Sequence, residues 1–123
     1  MSCNYRFLID EPNRCVRVQS GGIWCPADVH HYTREFRRHV FLARRRFGDV
    51  RVLVDAREAV TDAPGVARGL AALGALFDNP GDRFAVVTPS SLRKQQATGA
   101  KLPTTGMAFI SLNAAETWLF AHD

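Results

Sequence analysis

The residues best suited to chemistry follow a short apolar run at residues 50–54, in the middle of the chain. We name them the strand-end cluster, and they comprise three carboxylates, a guanidinium and a hydroxyl: Asp55, Arg57, Glu58, Thr61 and Asp62. A carboxylate there could act as a general acid or base, and an arginine beside it could hold an anion. The apolar run predicts a strand buried on both faces, and open α/β sheets bind ligands at the carboxyl ends of such strands. Together with Ser90 and Ser91, which follow a second apolar run, the cluster is the predicted ligand-binding site.

Recognised catalytic motifs are absent from the sequence. It contains no Gly-rich phosphate loop, no G-x-S-x-G elbow, and no cysteine or serine with an evident base partner. Charged residues in a strand-to-helix loop are ordinarily solvated or cap the helix, and Asp62 before Ala63 and Pro64 suits an N-cap. We therefore predict that the protein is not an enzyme and has no catalytic residue and no cofactor. Acid–base chemistry by the strand-end cluster stays the alternative.

A long helix is predicted between Cys25 and Gly48. Pro26 suits its first turn, and Asp28 complements the positive end of the helix. At about 100° per residue, six apolar residues fall on one stripe. They are Val29, Tyr32, Phe36, Val40, Ala43 and Phe47. We expect this stripe to pack on the sheet.

The adjoining side of this helix carries five arginines around one phenylalanine, and we name it the arginine flank. Its members are Arg34, Arg37, Arg38, Phe41, Arg44 and Arg45. One interpretation is a solvated surface whose arginine stems cover apolar area, with Phe41 packed against a neighbouring element. The other is a binding surface for an anion or a protein partner, because arginine and aromatic residues are enriched at the centres of interfaces. Both interpretations stay open at this point.

Self-association is a further prediction for this helix. Phe41 and Leu42 both lie outside the buried stripe, and two-fold pairing is the commonest symmetric arrangement. Two arginine-rich faces would repel each other unless each met acidic groups on the partner. The candidates are Glu35, Asp49 and Glu58. The first strand, at residues 5–9, offers the alternative dimer surface because its edge is unpaired.

Metal and disulfide chemistry find no support in the spacing of histidine and cysteine residues. His30, His31 and His39 lie on the long helix without an i, i+4 pair, so no metal site is predicted. The cysteines are an odd number with separations that match no zinc or redox motif, so they are predicted to be free thiols. They are Cys3, Cys15 and Cys25.

Length and composition indicate one domain spanning residues 1–123. With 46% hydrophobic residues, the chain can bury a real core. No run of about 18 apolar residues occurs, and the first residues lack the apolar segment of a signal peptide, so we expect a cytoplasmic protein without a membrane span. The net charge of +4 permits an anionic partner, but a nucleic-acid partner is not expected because no recognised binding motif accompanies the arginines.

The elements that must position these residues follow from periodicity and turn residues. Residues 5–9 and 15–19 alternate with period two around a turn at 11–14, which predicts a β-hairpin. Gly21 and Gly22 are expected to end the second strand. After the long helix and the central strand, apolar residues at helical spacing predict a second helix. They are Val66, Leu70, Leu73 and Phe77.

The next elements are a strand, a helix and a loop. A doubly covered strand at residues 84–88 precedes a brief helix that begins at Ser90 and ends near residue 97. Residues 98–106 have the composition of an exposed loop, and they could form a lid beside the strand ends.

A final strand at residues 107–112 leads into a terminal helix, for which Asn113 and Glu116 predict a capping box. The complete order is strand, strand, helix, strand, helix, strand, helix, strand, helix. It predicts a single α/β domain with a mixed five-stranded sheet, an antiparallel first edge strand and about four helices.

Three stretches of this pattern resemble the SpoIIAA-like group of STAS domains. They are R-V-L-V-D-A-R at 51–57, D-R-F-A-V-V at 82–87 and A-F-I-S-L-N-A-A-E-T-W-L at 108–119. The sharpest mark is the last, where a strand runs into a helix that ends in Trp118 and Leu119. The resemblance covers nearly the whole chain and implies the same α/β fold.

The resemblance implies a regulatory or protein-interaction module. Related anti-sigma-factor antagonists bind a kinase partner and are switched by phosphorylation of a serine in an Asp-Ser-Ser-Gly motif that opens the second helix. Here Asp62 and Gly65 match the ends of that motif, but Ala63 and Pro64 occupy the serine positions and cannot accept phosphate. The predicted function is therefore a non-catalytic STAS-like module without this switch.

The same group is similar in fold to CRAL-TRIO lipid carriers, which implies an alternative function. The protein would then carry or sense a small apolar or anionic ligand. Its pocket would lie near the carboxyl ends of the strands, beside the loop at 98–106. No signature of such a pocket is evident in the sequence.

Overall fold

Five strands form one sheet in a computed structural model that describes residues 2–61, 63, 65–91, 94 and 105–121. The strands are β1 (Asn4–Asp10), β2 (Cys15–Ile23), β3 (Arg51–Val60), β4 (Arg83–Val87) and β5 (Gly106–Phe109). The helices are α1 (Pro26–Phe47), α2 (Val66–Ala71) with its 3-10 continuation (Ala72–Leu76), and α3 (Leu112–Leu119).

The sheet has the predicted mixed topology. The strand order is β1-β2-β3-β4-β5, so β3 lies in the middle. β1 pairs antiparallel with β2, whereas β2, β3, β4 and β5 run parallel to one another. Parallel neighbours need crossover connections, and the crossover from β2 to β3 runs through α1. The predicted α/β class, the central strand and the antiparallel first edge strand are confirmed.

The hairpin between β1 and β2 forms where its sequence predicted a turn. The backbone N–H of Arg14 donates to the carbonyl of Glu11 at 3.1 Å. The Asp10 carboxylate accepts the backbone N–H of Asn13 at 3.3 Å, which fixes the chain as it leaves β1.

β2 and β3 are both longer than their sequences predicted. Gly21 and Gly22 do not end β2, which continues to Ile23 beside the second half of β3. The register shifts between Gln19 and Gly21, so a bulge separates two paired stretches. As a result, the first residues of the strand-end cluster lie within β3 rather than in a loop after it.

A close backbone approach explains why glycine occupies position 22 inside a strand. Gly22 has a φ of +78°, a conformation that residues with a Cβ rarely adopt. A Cβ atom at this position would lie 2.2 Å from the carbonyl oxygen of Ser2. The glycines therefore allow the segment before β1 to run against β2 instead of breaking the strand.

α1 begins and ends where its sequence predicted. The Asp28 carboxylate accepts the backbone N–H of Cys25 at 2.9 Å, and Pro26 occupies the first turn. The backbone N–H of Gly48 donates to the carbonyl of Arg44 at 2.9 Å. The predicted apolar stripe faces the sheet: five of its six residues are buried, and Phe47 is half-buried.

The helices cover both faces of the sheet. α1, α2 and the 3-10 segment pack on one face, in a core that includes the fully buried side chains of Trp24 and Phe36. α3 packs on the other face, where Leu53, Ala85 and Leu119 are buried. β3 contributes to both cores because alternate residues of a strand point to opposite faces.

Two predicted boundaries near the carboxyl end are wrong. β5 ends at Phe109 rather than at residue 112. The N-cap of α3 is Ser111 rather than Asn113, and its Oγ accepts the backbone N–H of Ala114 at 3.3 Å. Ser111 still has extended backbone, so its side chain is the one that can reach a free N–H of the first turn.

Several predictions fall on residues outside the described ranges. These include Asp62 and Pro64, most of the brief helix after Ser90, and residues 98–104 of the predicted loop. The N-cap of α2 is Gly65, so the prediction of Asp62 as its N-cap is wrong. Around that brief helix, the backbone N–H of Lys94 donates to the carbonyl of Ser90 at 2.9 Å. The helices in the described ranges include none with the length and apolar character needed to cross a membrane.

Candidate functional site

Asp55 and Arg57 of the strand-end cluster bind each other. Nη2 of Arg57 lies 2.7 Å from Oδ2 of Asp55, and Nε lies 2.9 Å from Oδ1, so the ion pair is bidentate. The backbone N–H of Arg57 also donates to Oδ1, at 3.2 Å. The Arg57 guanidinium lowers the pKa of the Asp55 carboxyl below its usual range. Asp55 is therefore ionised at neutral pH, with both oxygens engaged.

The other predicted ligand-binding residues lie within β3, directly after β3 and after β4. Glu58 lies within β3, opposite Gly21, and its side chain is exposed. Thr61 follows β3 and is half-buried, whereas Asp62 lies outside the described residues. The carbonyl of Ser90 accepts the Thr88 hydroxyl at 3.3 Å.

The register of the sheet shows where Ser90 and Ser91 lie relative to the strand-end cluster. Asp55 is opposite Val87, the last residue of β4, and Ser90 and the exposed Ser91 follow Val87 along the chain. The structure therefore brings Asp55 and Arg57 together, and it places the two serines after the neighbouring strand.

The arginine flank is largely a solvent-exposed surface. Phe41 projects from it with 59% of its area exposed. The guanidinium of Arg45 lies 5.7 Å from the centre of the Phe41 ring, a cation–π contact within the same helix. The exposed arginines are Arg34, Arg37, Arg38 and Arg45. The interpretation that Phe41 packs against a neighbouring element is therefore wrong.

Arg44 departs from the rest of the arginine flank. Its guanidinium forms a bidentate ion pair with Asp82, with Nη2 to Oδ2 at 2.8 Å and Nη1 to Oδ1 at 3.2 Å. Nη2 also donates to the carbonyl of Leu76 at 3.0 Å. The side chain that was predicted to meet a partner is thus engaged inside the fold, and Arg44 is removed from the candidate surface.

Asp82 binds three segments of the chain from a fully buried position. Its carboxylate accepts the backbone N–H of Val50 at 2.8 Å and of Asn79 at 3.1 Å, in addition to the two bonds from Arg44. Burial raises the pKa of this carboxyl, but the bonds from Arg44, Val50 and Asn79 outweigh it and hold the pKa below the usual range. A local signal was present, because Asp82 ends an Asn-Pro-Gly-Asp turn, but nothing near it in the chain indicated its partner.

A groove near the hairpin turn was also missed by sequence reasoning. It is open to solvent, has a volume of about 460 Å³ and is lined by Asn13, Arg17, Glu116, Thr117 and Phe120. Nε of Arg17 lies 2.8 Å from Asp10 Oδ2, and Nη1 lies 2.8 Å from Glu116 Oε2. Because two carboxylates already pair with Arg17, this arginine offers no unpaired positive charge to an anionic ligand in the groove.

The pocket predicted for the carrier function would lie elsewhere, at the carboxyl ends of the strands. Its expected lid, residues 98–106, is described only at Thr105 and Gly106. The alternative function as a carrier of a small apolar or anionic ligand therefore stays a prediction. Native mass spectrometry of the purified protein, which would reveal a co-purified lipid or acid, tests it.

A metal site built from thiols, imidazoles or carboxylates needs at least three such side chains close together. Within the ranges that the structure describes, no group of three or more His, Cys, Asp or Glu side chains is arranged to hold a metal ion. Cys3, Cys15 and Cys25 are free thiols. Burial raises the pKa of Cys15 to about 11, so that thiol is protonated at neutral pH.

Comparison with known proteins identifies a structural relative. No protein-family model matches the sequence, and neither does any curated protein. The structure is similar to that of an uncharacterized protein of the DUF3478 family with a SpoIIAA-like fold, from Shewanella loihica PV-4. The TM-score is 0.65 at 16% identity, and the match covers 96% of this chain and 93% of the other. The chain therefore has a SpoIIAA-like fold, as the resemblance of its sequence implied.

Proposed function

We propose that this protein is a non-catalytic, STAS-like interaction module that binds a protein partner through the outer face of α1. The observation that carries the proposal is the exposure of Phe41. This large apolar side chain is 59% exposed and lies among arginines. It points away from the helix stripe that packs on the sheet, so it adds nothing to the core.

The composition of this face supports binding to protein. Arginine and aromatic side chains are the types that most often dominate the energetics of protein interfaces. Arg45 already contacts the ring of Phe41, which restrains both side chains before a partner arrives. A restrained contact pair loses less side-chain entropy on binding than two free side chains do.

The state of the strand-end cluster supports the non-catalytic part of the proposal. A general acid or base that works near neutral pH needs a pKa near that pH. Arg57 lowers the pKa of Asp55, which moves that carboxyl away from such a role. Arg57 is itself bound to both oxygens of Asp55, so it is not poised to hold an anionic substrate.

The test of partner binding compares two exposed apolar residues of the same helix. Affinity-tagged wild type, Phe41→Glu and Leu42→Glu are used to recover binding proteins, and thermal melting establishes that all three are folded. Leu42 is 44% exposed and lies about 100° around the helix from Phe41, so it is a matched control. We expect a defined protein to bind wild type and Leu42→Glu but not Phe41→Glu. Equal recovery by Phe41→Glu would exclude this face.

A separate assay tests whether the protein is a catalyst. Wild type, Asp55→Asn and Arg57→Ala are compared in a broad screen for hydrolase and transferase activity. We expect no turnover from any of the three. A defined turnover that either substitution abolishes would establish an enzyme and overturn the proposal.

A further inference from the structure

We infer that the partner of the α1 surface is an acidic protein segment that places carboxylates on its arginines and an apolar side chain against Phe41. The inference rests on the proposed function and adds the chemistry of the partner. It follows from the charge, the spacing and the dimensions of the exposed face.

The exposed face of α1 carries uncompensated positive charge. Arg38 has an ion pair with Glu35 at 3.4 Å, but both side chains are well exposed and such a pair is readily exchanged. Arg34, Arg37 and Arg45 form no ion pair with any residue that the structure describes. A partner that brings carboxylates would therefore meet charges that nothing in the described fold neutralises.

Four residues of the arginine flank form one continuous stripe along α1, on a different side from the buried stripe. Arg34, Arg38, Phe41 and Arg45 follow each other at intervals of four, three and four residues, which keeps them on one side of a helix. At a rise of 1.5 Å per residue, the stripe is about 16 Å long. This length matches about three turns of a partner helix or about five residues of an extended segment. Guanidinium groups favour carboxylates because each can make two parallel hydrogen bonds.

A nucleic-acid strand fits this face less well than a protein segment. Proteins that bind single strands stack successive bases on several aromatic side chains, whereas Phe41 is the one ring in the stripe.

A second copy of the chain fits less well still. Two-fold pairing brings the same surface of each copy together, so the arginines of one stripe would face those of the other. Among the described residues of each copy, Glu35 is the acidic group that pairs with an arginine of the stripe, which leaves most of the repulsion in place. The predicted homodimer through Phe41 is therefore treated as a competing outcome.

Selection from displayed peptides tests the chemistry of the partner directly. A random library of peptides about 16 residues long, about 24 Å when helical, is selected on immobilised wild type and depleted on Phe41→Glu. We expect the enriched peptides to combine several Asp or Glu residues with at least one large apolar residue.

The best peptide is then measured in solution against matched charge variants. We expect Arg45→Glu to weaken binding by about tenfold or more, because it reverses the charge of the arginine that contacts the Phe41 ring. Arg6→Glu removes an exposed arginine on β1 and should change the affinity by less than about twofold. Raising the salt concentration from about 0.05 M to about 0.5 M should weaken binding by about tenfold.

Other results would overturn the inference in distinguishable ways. Phe41-dependent peptides that are neutral or basic would refute an acidic partner and leave the proposed function standing. Failure to enrich any Phe41-dependent peptide would refute both. Tighter, Arg45-dependent binding of an oligothymidine of about 12 nucleotides would indicate a nucleic acid instead. A dimer in sedimentation equilibrium that Phe41→Glu dissociates would indicate a second copy.

Discussion

Arg44 and Arg45 are neighbours in the chain and have the same chemistry, yet they occupy opposite environments. Arg44 reaches into the fold, where it pairs with the fully buried carboxylate of Asp82 and the carbonyl of Leu76. Arg45 lies on the surface, over the ring of the exposed Phe41. A rotation of about 100° around the helix separates them. Residue type therefore does not distinguish a structural arginine from a candidate binding arginine, whereas position on the helix does.

The two environments also differ in what a substitution costs. Removing one partner of a buried ion pair leaves the other charge and its hydrogen-bonding groups without compensation. Removing an exposed charge changes stability little, because water takes its place. The Arg44 pair therefore concerns the free energy of folding, whereas the exposed Arg45 surface is the one that we propose for binding.

The largest expected effect is that of Asp82→Ala. The substitution removes the acceptor of Arg44 and of the Val50 and Asn79 backbone N–H groups, so we expect a loss of about 3 kcal/mol in the free energy of unfolding. Urea denaturation at neutral pH measures it. Asp78→Ala is the control, because Asp78 lies 3.9 Å from Arg44 but is 77% exposed. A loss of less than about 1 kcal/mol for Asp82→Ala would contradict a structural role for the pair.

Lowering the pH should remove part of the stabilisation that the Asp82 carboxylate provides. The pKa of Asp82 is lower in the folded protein than its unfolded value of about 3.9, so its ionised form favours folding. This stabilisation is complete above the unfolded pKa and is lost as the pH falls through the folded pKa. The difference in unfolding free energy between wild type and Asp82→Asn should be constant from about pH 7 to about pH 5, and shrink below about pH 4. A difference that grows in acid would contradict the lowered pKa.

An intermediate loss of stability is expected at the N-terminus of α3. Ser111→Ala removes the side-chain acceptor for the Ala114 N–H and should cost about 1 kcal/mol. Asn113→Ala is the matched control, since Asn113 lies inside the helix and its side chain is exposed. Thermal melting of the two variants separates them. The reverse order would restore Asn113 as the N-cap.

The smallest effect on stability is expected for Arg45→Ala. Its contact with Phe41 is exposed, so the loss in unfolding free energy should be below about 0.5 kcal/mol. Arg44→Ala, one residue earlier, should cost clearly more, because it leaves the Asp82 carboxylate buried without its cation. Urea denaturation of the two variants under one set of conditions makes the comparison. Equal losses would mean that both arginines have the same structural role.

Elements with a local signal were predictable from the sequence. The hairpin turn, the limits and buried stripe of α1, and the central position of β3 follow from turn residues and periodicity, and all were confirmed. The exposure of most of the arginine flank also follows from the helical period, because the stripe on the opposite side fixes which way the helix faces.

Two of the wrong predictions, those for β2 and β3, depend on a distant partner. Gly22 lies inside β2 because the segment before β1 packs against it, and nothing within the glycine pair signals that contact. The Asp55–Arg57 pair forms within β3 because that strand extends beyond its apolar run to pair with the end of β2.

Sequence by itself determined the fold class, the order of the five strands along the chain and the side of α1 that faces solvent, because each depends on spacing along a few neighbouring residues. Tertiary structure alone decided that Arg44 is structural and that Arg45 is available for binding. The carboxylate that binds Arg44 lies 38 residues away in the chain, and only the packing of α1 beside the loop before β4 brings the two groups together. Long-range ion pairs of this kind depend on the assembled fold, whereas periodicity describes only a helix on its own.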